Sequence, residues 1–174
     1  MQSFPLYYPQ NILTLMDNLH VSYQLYHHNP VFTVEEADKV SADIAGAHIK
    51  NLFLRDKREQ MFLVTVRSTT RLDLKKLSDL LGVGRLSFGS PDRLWTYLGV
   101  KPGSVTPLAI LNDTAKKVTL ILEKAMMNEE IINIHPLDNT MTVGIPPQEL
   151  IKILENKGIS PQITDLSIAK PDEM

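Results

Sequence analysis

The chain has no cysteine. That excludes disulfides, thiolate metal sites and a thiol nucleophile. It lacks any apolar run approaching the ~20 residues of a membrane-spanning helix. The start, Met1-Gln2-Ser3-Phe4-Pro5, has no basic segment followed by an apolar one, so it does not read as a secretory signal. Together these absences lead us to expect a soluble, cytoplasmic protein. Phosphate loops of the Gly-x-x-x-x-Gly-Lys type and the Gly-x-Gly-x-x-Gly fingerprint are missing. Arg85-Leu86-Ser87-Phe88-Gly89 lacks the first glycine of a serine nucleophile elbow. The histidines (His20, His27, His28, His48 and His135) do not show the short spacing of a local ligand pair. We therefore expect no metal site.

What is present fits one globular domain of 174 residues, 43% of them hydrophobic. The net charge is only −2 but unevenly spread. Residues 50–76 hold eight Lys/Arg (Lys50, Arg55, Lys57, Arg58, Arg67, Arg71, Lys75 and Lys76) against three acids. The rest of the chain is acidic. A basic window on an acidic body can hold a polyanion locally, or be no more than a solvated surface.

Helical spacing of Ile12, Leu15, Met16 and Leu19 predicts a helix over 9–21, followed by an alternating strand over 22–27. Thr33-Val34-Glu35-Glu36 is a capping box and predicts a helix to about Ile44. Strands are expected over 49–55 and 61–67 as a hairpin across the charged turn Asp56-Lys57-Arg58-Glu59. A helix follows over 73–81, closed by Gly82, then a short strand over 85–88 and a helix from Ser90-Pro91 to Gly99. Further strands are expected over 108–111, 118–123, 131–135 and 140–144, with a last helix over 146–156. Residues 159–174 read as a short strand and a loose tail. This irregular interleaving predicts a mixed α/β (α+β) sheet, not a doubly wound parallel one.

Three places could carry chemistry. Lys50 and Asn51 stand at the expected polar entrance of an apolar strand, a cation beside a two-way hydrogen bonder, suited to a phosphate, a ribose or an ester carbonyl. The alternative is a solvated lysine. His135, before Pro136, could handle protons near neutral pH or be a core histidine bonded to backbone. The loop Lys101-Pro102-Gly103-Ser104-Val105-Thr106-Pro107 could present backbone amides to an oxyanion, or be a plain connection.

Five stretches, in this order and spacing, carry a resemblance: 30–37 (Pro-Val-Phe-Thr-Val-Glu-Glu-Ala), 46–56, 84–88, 102–107 with Asn112-Asp113 following, and His135-Pro136-Leu137-Asp138-Asn139-Thr140. Over about 28–154 the chain resembles the YbaK-like prolyl-tRNA editing domains. Within them it is most similar to the free-standing alanine-type branch (ProX), the Ala-tRNA(Pro) deacylases. The resemblance implies a mixed, strongly curved central sheet flanked by helices. It implies hydrolysis of the ester joining a wrong amino acid to proline tRNA, needed because one binding pocket cannot fully exclude a smaller side chain. It implies water as nucleophile and no cofactor. The family's lysine falls on Lys50 and its neighbour on Asn51, its Gly-x-x-x-Pro loop on Gly103 and Pro107, and its histidine on His135. Phe32, Thr33, Ser104, Val105 and Thr106 are then expected to touch the substrate, and Arg55, Lys57, Arg58, Arg67 and Arg71 to dock the acceptor stem. Tyr26-His27-His28-Asn29 departs from the family's flavour, which leaves His28 without a role. Expected partners are tRNA and the prolyl-tRNA synthetase, for a monomer or weak homodimer. The competing readings are a binding module of the same fold that no longer hydrolyses, and editing of cysteine or serine instead of alanine.

Overall fold

Strand β2 (Ala47–Arg55) is the spine of the molecule. In the computed structural model, which describes residues 5–172, it alone touches three other strands. It pairs antiparallel with β3 (Met61–Arg67) along its whole second half, from Ile49↔Arg67 to Arg55↔Met61. On its other edge it pairs first with β6 (Ile132–Ile134), parallel, through Ala47 and His48 only. Further on, the same edge pairs with the two-residue β4 (Ser87–Phe88) through Leu54 and Arg55. The full mixed sheet runs β1-β7-β6-β2-β3-β5-β8, with β1 at Gln24–His27, β5 at Val118–Glu123, β7 at Met141–Ile145 and β8 at Gln162–Thr164.

Side chains alternate along a strand, so β2 and β3 feed two cores. Phe53 and Leu63 join Ile132, Ile134, Val143 and Ile145 in the larger one, covered by α1 (Pro9–Asn18), α4 (Pro91–Leu98) and α5 (Pro147–Asn156). Leu54, Phe62, Val64 and Val66 join Leu77 of α3 (Leu74–Leu81) in the smaller one. The remaining helix, α2 (Val34–Ala42), starts at the predicted capping box: Thr33 Oγ1 accepts from the Glu36 amide at 3.1 Å, and Glu36 Oε2 accepts from the Phe32 and Thr33 amides.

Four expectations need correction. The first helix stops at Asn18, where His20 takes a left-handed backbone (φ 56) and turns the chain. Residues 108–111 are not a strand. They lie in a 3-10 helix, Pro107–Asn112, because Pro107 sits at its first position and Thr106 Oγ1 caps the Leu108 amide. The β2 strand begins two residues early, since β6 supplies partners for Ala47 and His48, so Lys50 is inside the strand and not at its entrance. The C-terminal segment is not loose. Leu166 and Ala169 are buried in the smaller core and the Asp73 amide donates to the Ala169 carbonyl at 2.8 Å. Residues 173 and 174 of that expected tail lie outside the described residues.

Gly89 holds β4 against β2: its amide donates to the Phe53 carbonyl at 2.9 Å, and a Cβ there would collide with the Phe53 ring. Gly89→Ala is expected to destabilise the fold by about 1–3 kcal/mol, the usual cost of overpacking, read as a lowered thermal or urea midpoint.

Candidate active site

The edge of β2 is open between its two partners. Backbone groups of odd-numbered β2 residues face that edge: the Ala47 amide donates to Ile131 at 2.9 Å, and the Phe53 carbonyl accepts from Gly89. Even-numbered ones face β3, as the Ser68 amide bonded to the His48 carbonyl at 2.7 Å shows. Pairing with β6 ends at His48, and pairing with β4 starts at Leu54. The N–H and C=O of Asn51 therefore point into a notch with no strand opposite. Unpaired ladder groups of this kind are ready hydrogen-bonding positions for a ligand.

Asn51 and Lys50 serve opposite faces of β2. The Asn51 side chain is engaged at both ends. Its Nδ2 donates to the Val105 carbonyl at 2.9 Å, and its Oδ1 accepts from Thr65 Oγ1 at 2.6 Å. It thereby fastens the 101–107 loop to the sheet. Lys50 lies on the face of Leu52 and Leu54, half-buried, and no carboxylate among the described residues pairs with it. Continuing the parallel register Ala47↔Ile132 and His48↔Asn133 by two residues brings Lys50 level with His135, at the point where β6 has just ended. Lys50 and His135 thus stand at matching positions on either side of the notch, while the Asn51 side chain serves the other face of β2.

The His135 ring is fixed by its neighbours. Nδ1 lies 2.8 Å from the Met141 carbonyl, which can only accept, so the neutral ring carries its proton on Nδ1 and leaves Nε2 as a lone-pair acceptor. Burial pushes its pKa below the ordinary imidazole value. The Met141 bond and Asp138 oppose that shift, and His28, 6.3 Å away between ring centroids, adds to it. His28 is itself held at 2.8 Å by Thr142 Oγ1.

The loop is shaped for close approach. Gly103 has φ +92, a backbone region that favours glycine, and a Cβ there would stand 3.3 Å from Asn139 Nδ2 and 3.9 Å from the Phe32 ring. The buried Asn139 side chain holds both the amide (3.2 Å) and the carbonyl (2.8 Å) of Val31. It ties the segment before α2 to the 135–140 turn. Phe32 is 76% exposed beside Gly103, whereas the exposed Thr33 is occupied as a helix cap. Within the loop the Ser104 amide closes a turn onto Lys101 at 3.0 Å. Val105 spends its carbonyl on Asn51, and Thr106 and Pro107 are buried as the start of the 3-10 helix. The N–H groups of Gly103, Val105 and Thr106 have no acceptor among the described residues.

The basic window is not one face. Arg55, Lys57 and Arg58 cluster at the β2–β3 turn, and Arg67 and Arg71 lie at the other end of that hairpin, about 20 Å away at the rise of a strand. Arg55 pairs with Glu59 at 3.3 Å. Arg67 pairs with Glu123 at 2.8 Å and Glu129 at 3.7 Å. Its hydrogen bond to Glu123 holds the guanidinium above its ordinary pKa, against burial. Burial alone would raise the Glu123 carboxyl, yet the bonds it accepts from Arg67 and Thr70 hold it below its usual value. Lys57, Arg58, Arg71 and Lys75 are the exposed cations of the window.

Sequence reasoning missed Thr65 and Asn139, which position the site from behind, and left His28 unassigned. Asn139 carried no burial signal in the sequence, since asparagine in a turn is ordinarily exposed.

The model for the aminoacyl-tRNA editing domain matches residues 28–153. The chain is 37% identical over 150 residues to the prolyl-tRNA editing protein ProX of Acetoanaerobium sticklandii, covering 86% of this chain and 92% of that one. It is also 37% identical over 150 residues to the prolyl-tRNA synthetase associated domain-containing protein 1 of Danio rerio, covering 85% and 82%. Among solved structures, a proposed trans-editing enzyme for prolyl tRNA synthetase superposes with a TM-score of 0.68 at 19% identity, covering 91% of this chain and 95% of that one. The notch, its lysine, its histidine and its glycine loop all fall inside the matched span, and the chain belongs to the aminoacyl-tRNA editing domain family.

Proposed function

We propose that this chain is a deacylase of mischarged proline tRNA, with alanine as the amino acid removed. The observation that carries this is the notch. Where a strand partner is missing, an open edge with free amide and carbonyl is flanked by an unpaired lysine on one face of β2 and, on the other, by the glycine loop that Asn51 holds. Prolyl-tRNA editing is what the name of the ProX relative says of that protein, and the motif resemblance supports carrying it over.

In this reading no side chain attacks. Water adds to the ester carbonyl carbon, and the oxyanion that forms is stabilised by the Lys50 ammonium and by backbone N–H groups of the 103–106 loop or of Asn51. The carbonyl carbon–oxygen bond to the ribose then breaks, and the water proton ends on the leaving ribose oxygen with the neighbouring hydroxyl as relay. The products are free alanine and a tRNA with its terminal hydroxyl restored. His135 Nε2 accepts a hydrogen bond from the water and orients it. Its depressed pKa makes it a poor base at neutral pH but a dependable acceptor. Phe32 offers an exposed ring to the terminal adenine, and Lys57, Arg58 and Arg71 remain free to meet phosphates. A synthetase partner and a cytoplasmic site of action belong to the same proposal.

The test is deacylation of charged proline tRNA. Alanine should be released with proline largely spared, in chelator as in its absence. Faster release of cysteine or serine would reassign the substrate, and release of none would leave the binding-module reading. Lys50→Ala is expected to slow single-turnover hydrolysis by about 30- to 1000-fold, for a lost contact of roughly 2–4 kcal/mol. Its melting temperature should stay near wild type, because the ammonium has no partner to lose. Lys50→Arg should recover only part of the rate, since the planar guanidinium aims its donors differently.

The acid limb of the rate profile reports on His135. Its folded pKa lies below the unfolded one, so the neutral ring persists as pH falls through the ordinary imidazole range, about 6.5. Stability contributed by the neutral ring is likewise present above that value and lost as pH drops through the folded pKa. Hydrolysis should hold its rate through pH 6.5 and fall only below it. His135→Gln, which keeps an acceptor but does not titrate, should flatten that limb. A wild-type limb centred above 6.5 would remove His135 from the reaction.

A further inference from the structure

The only tryptophan of the chain, Trp95, stands 45% exposed on α4, next to Tyr8 at 52%. Both line a cavity of about 340 Å³ together with Tyr7, Gly99 and Leu137. Exposed aromatics grouped around one cavity mark a candidate interaction face. The pairing is built, not accidental. The buried Asn112 side chain accepts from the Tyr7 amide at 2.7 Å and donates to the Tyr7 carbonyl at 3.3 Å and the Leu98 carbonyl at 3.1 Å, clamping the N-terminal segment onto the end of α4. Gly99, with φ +64, makes room for Pro5 at that junction.

Two short chain connections link this cavity to the elements around the notch. Leu137 belongs to the 135–140 turn, two residues from His135 and two from Asn139. Gly99 is four residues from Gly103, a separation of at most about 14 Å of chain. The exposed Lys101 lies on that path, and Lys157 Nζ sits 6.0 Å from the Tyr7 ring. Aromatic faces beside cations, adjoining a site that takes the end of a strand, are the makings of a single-strand platform: bases stack on rings whatever their identity, and cations track the backbone.

We infer that Trp95 and Tyr8 stack the unpaired bases that precede the terminal adenosine of the tRNA 3′ end, while that adenosine enters the notch. The inference rests on the tRNA reading above and adds the residues that hold the incoming tail. It also gives the N-terminal segment a task that the family match, starting at residue 28, does not assign.

Trp95 as sole tryptophan makes the test direct. A hairpin RNA with a proline acceptor stem and unpaired 3′ tail should quench its fluorescence, and the same hairpin without the tail should not. Trp95→Ala and Tyr8→Ala should each raise KM for Ala-tRNA(Pro) roughly 5- to 150-fold, the effect of one lost stacked base, with kcat within about twofold. Trp95→Phe should restore most of the loss. If the wild type hydrolyses Ala-tRNA(Pro) but the tail gives no quenching and KM does not move, this inference is overturned and the deacylase reading stands. Quenching by the tail in a protein that hydrolyses nothing would keep the platform and sink the deacylase. Unchanged KM with a lowered melting temperature would make Trp95 a packing residue. A self-association that Trp95→Ala abolishes while KM holds would make the face an interface between copies. Either result overturns the platform.

Discussion

One carboxamide organises the site. The Asn51 side chain is engaged at both ends, accepting from the Thr65 hydroxyl and donating to the Val105 carbonyl. A loop carrying glycine at φ +92 has no regular ladder to hold it. Its register against the sheet depends on side-chain bonds such as this one. The same strand position contributes a second function through its backbone, since the Asn51 N–H and C=O face the open edge. A residue whose side chain builds the wall and whose main chain lines the opening ties the candidate site to the sheet itself.

That opening exists because the sheet forks. β2 is shared by two cores, and its neighbours on one edge, β6 and β4, stop short of each other. A continuous partner would have satisfied every ladder group and left no room for a ligand. Gaps of this kind survive only where surrounding packing is firm. Here the buried Leu54, Phe53, Val64 and Leu63 supply it from both faces. Lys50 remains uncompensated in that firm setting, a small local cost retained where an anionic partner would remove it.

Much of this was legible beforehand, and the misses are instructive. The α2 cap, the Gly82 stop and the β2–β3 hairpin follow from local chemistry, and local chemistry decides them. The apolar run Leu108–Leu111 was ambiguous by periodicity alone, and the proline before it, read as the last residue of a loop, in fact starts a 3-10 helix. Lys50 looked like a strand entrance because the partner that extends the strand, β6, is more than eighty residues away in the chain. The charge excess of residues 50–76 suggested one docking face. A hairpin folds such a window back on itself, and Glu123 and Glu129, distant in sequence, neutralise Arg67. Asn51 was read as a partner of Lys50, and strand alternation separates them. The candidate site residues were picked out as motifs. Which face each serves was not, because that depends on the register of pairs far apart in sequence.

The central claim is that Asn51 acts by holding the 101–107 loop, and one paired measurement on Asn51→Ala tests it most directly. Hydrogen exchange of the loop amides and single-turnover hydrolysis of Ala-tRNA(Pro) are read on the same protein. The substitution leaves the Thr65 hydroxyl and the Val105 carbonyl without their partner, at a cost of about 1–3 kcal/mol. The account predicts faster exchange confined to residues 103–106, a largely kept global melting transition, and a hydrolysis rate lowered at least tenfold. Normal hydrolysis alongside a loosened loop would contradict it, as would lost hydrolysis with loop exchange unchanged.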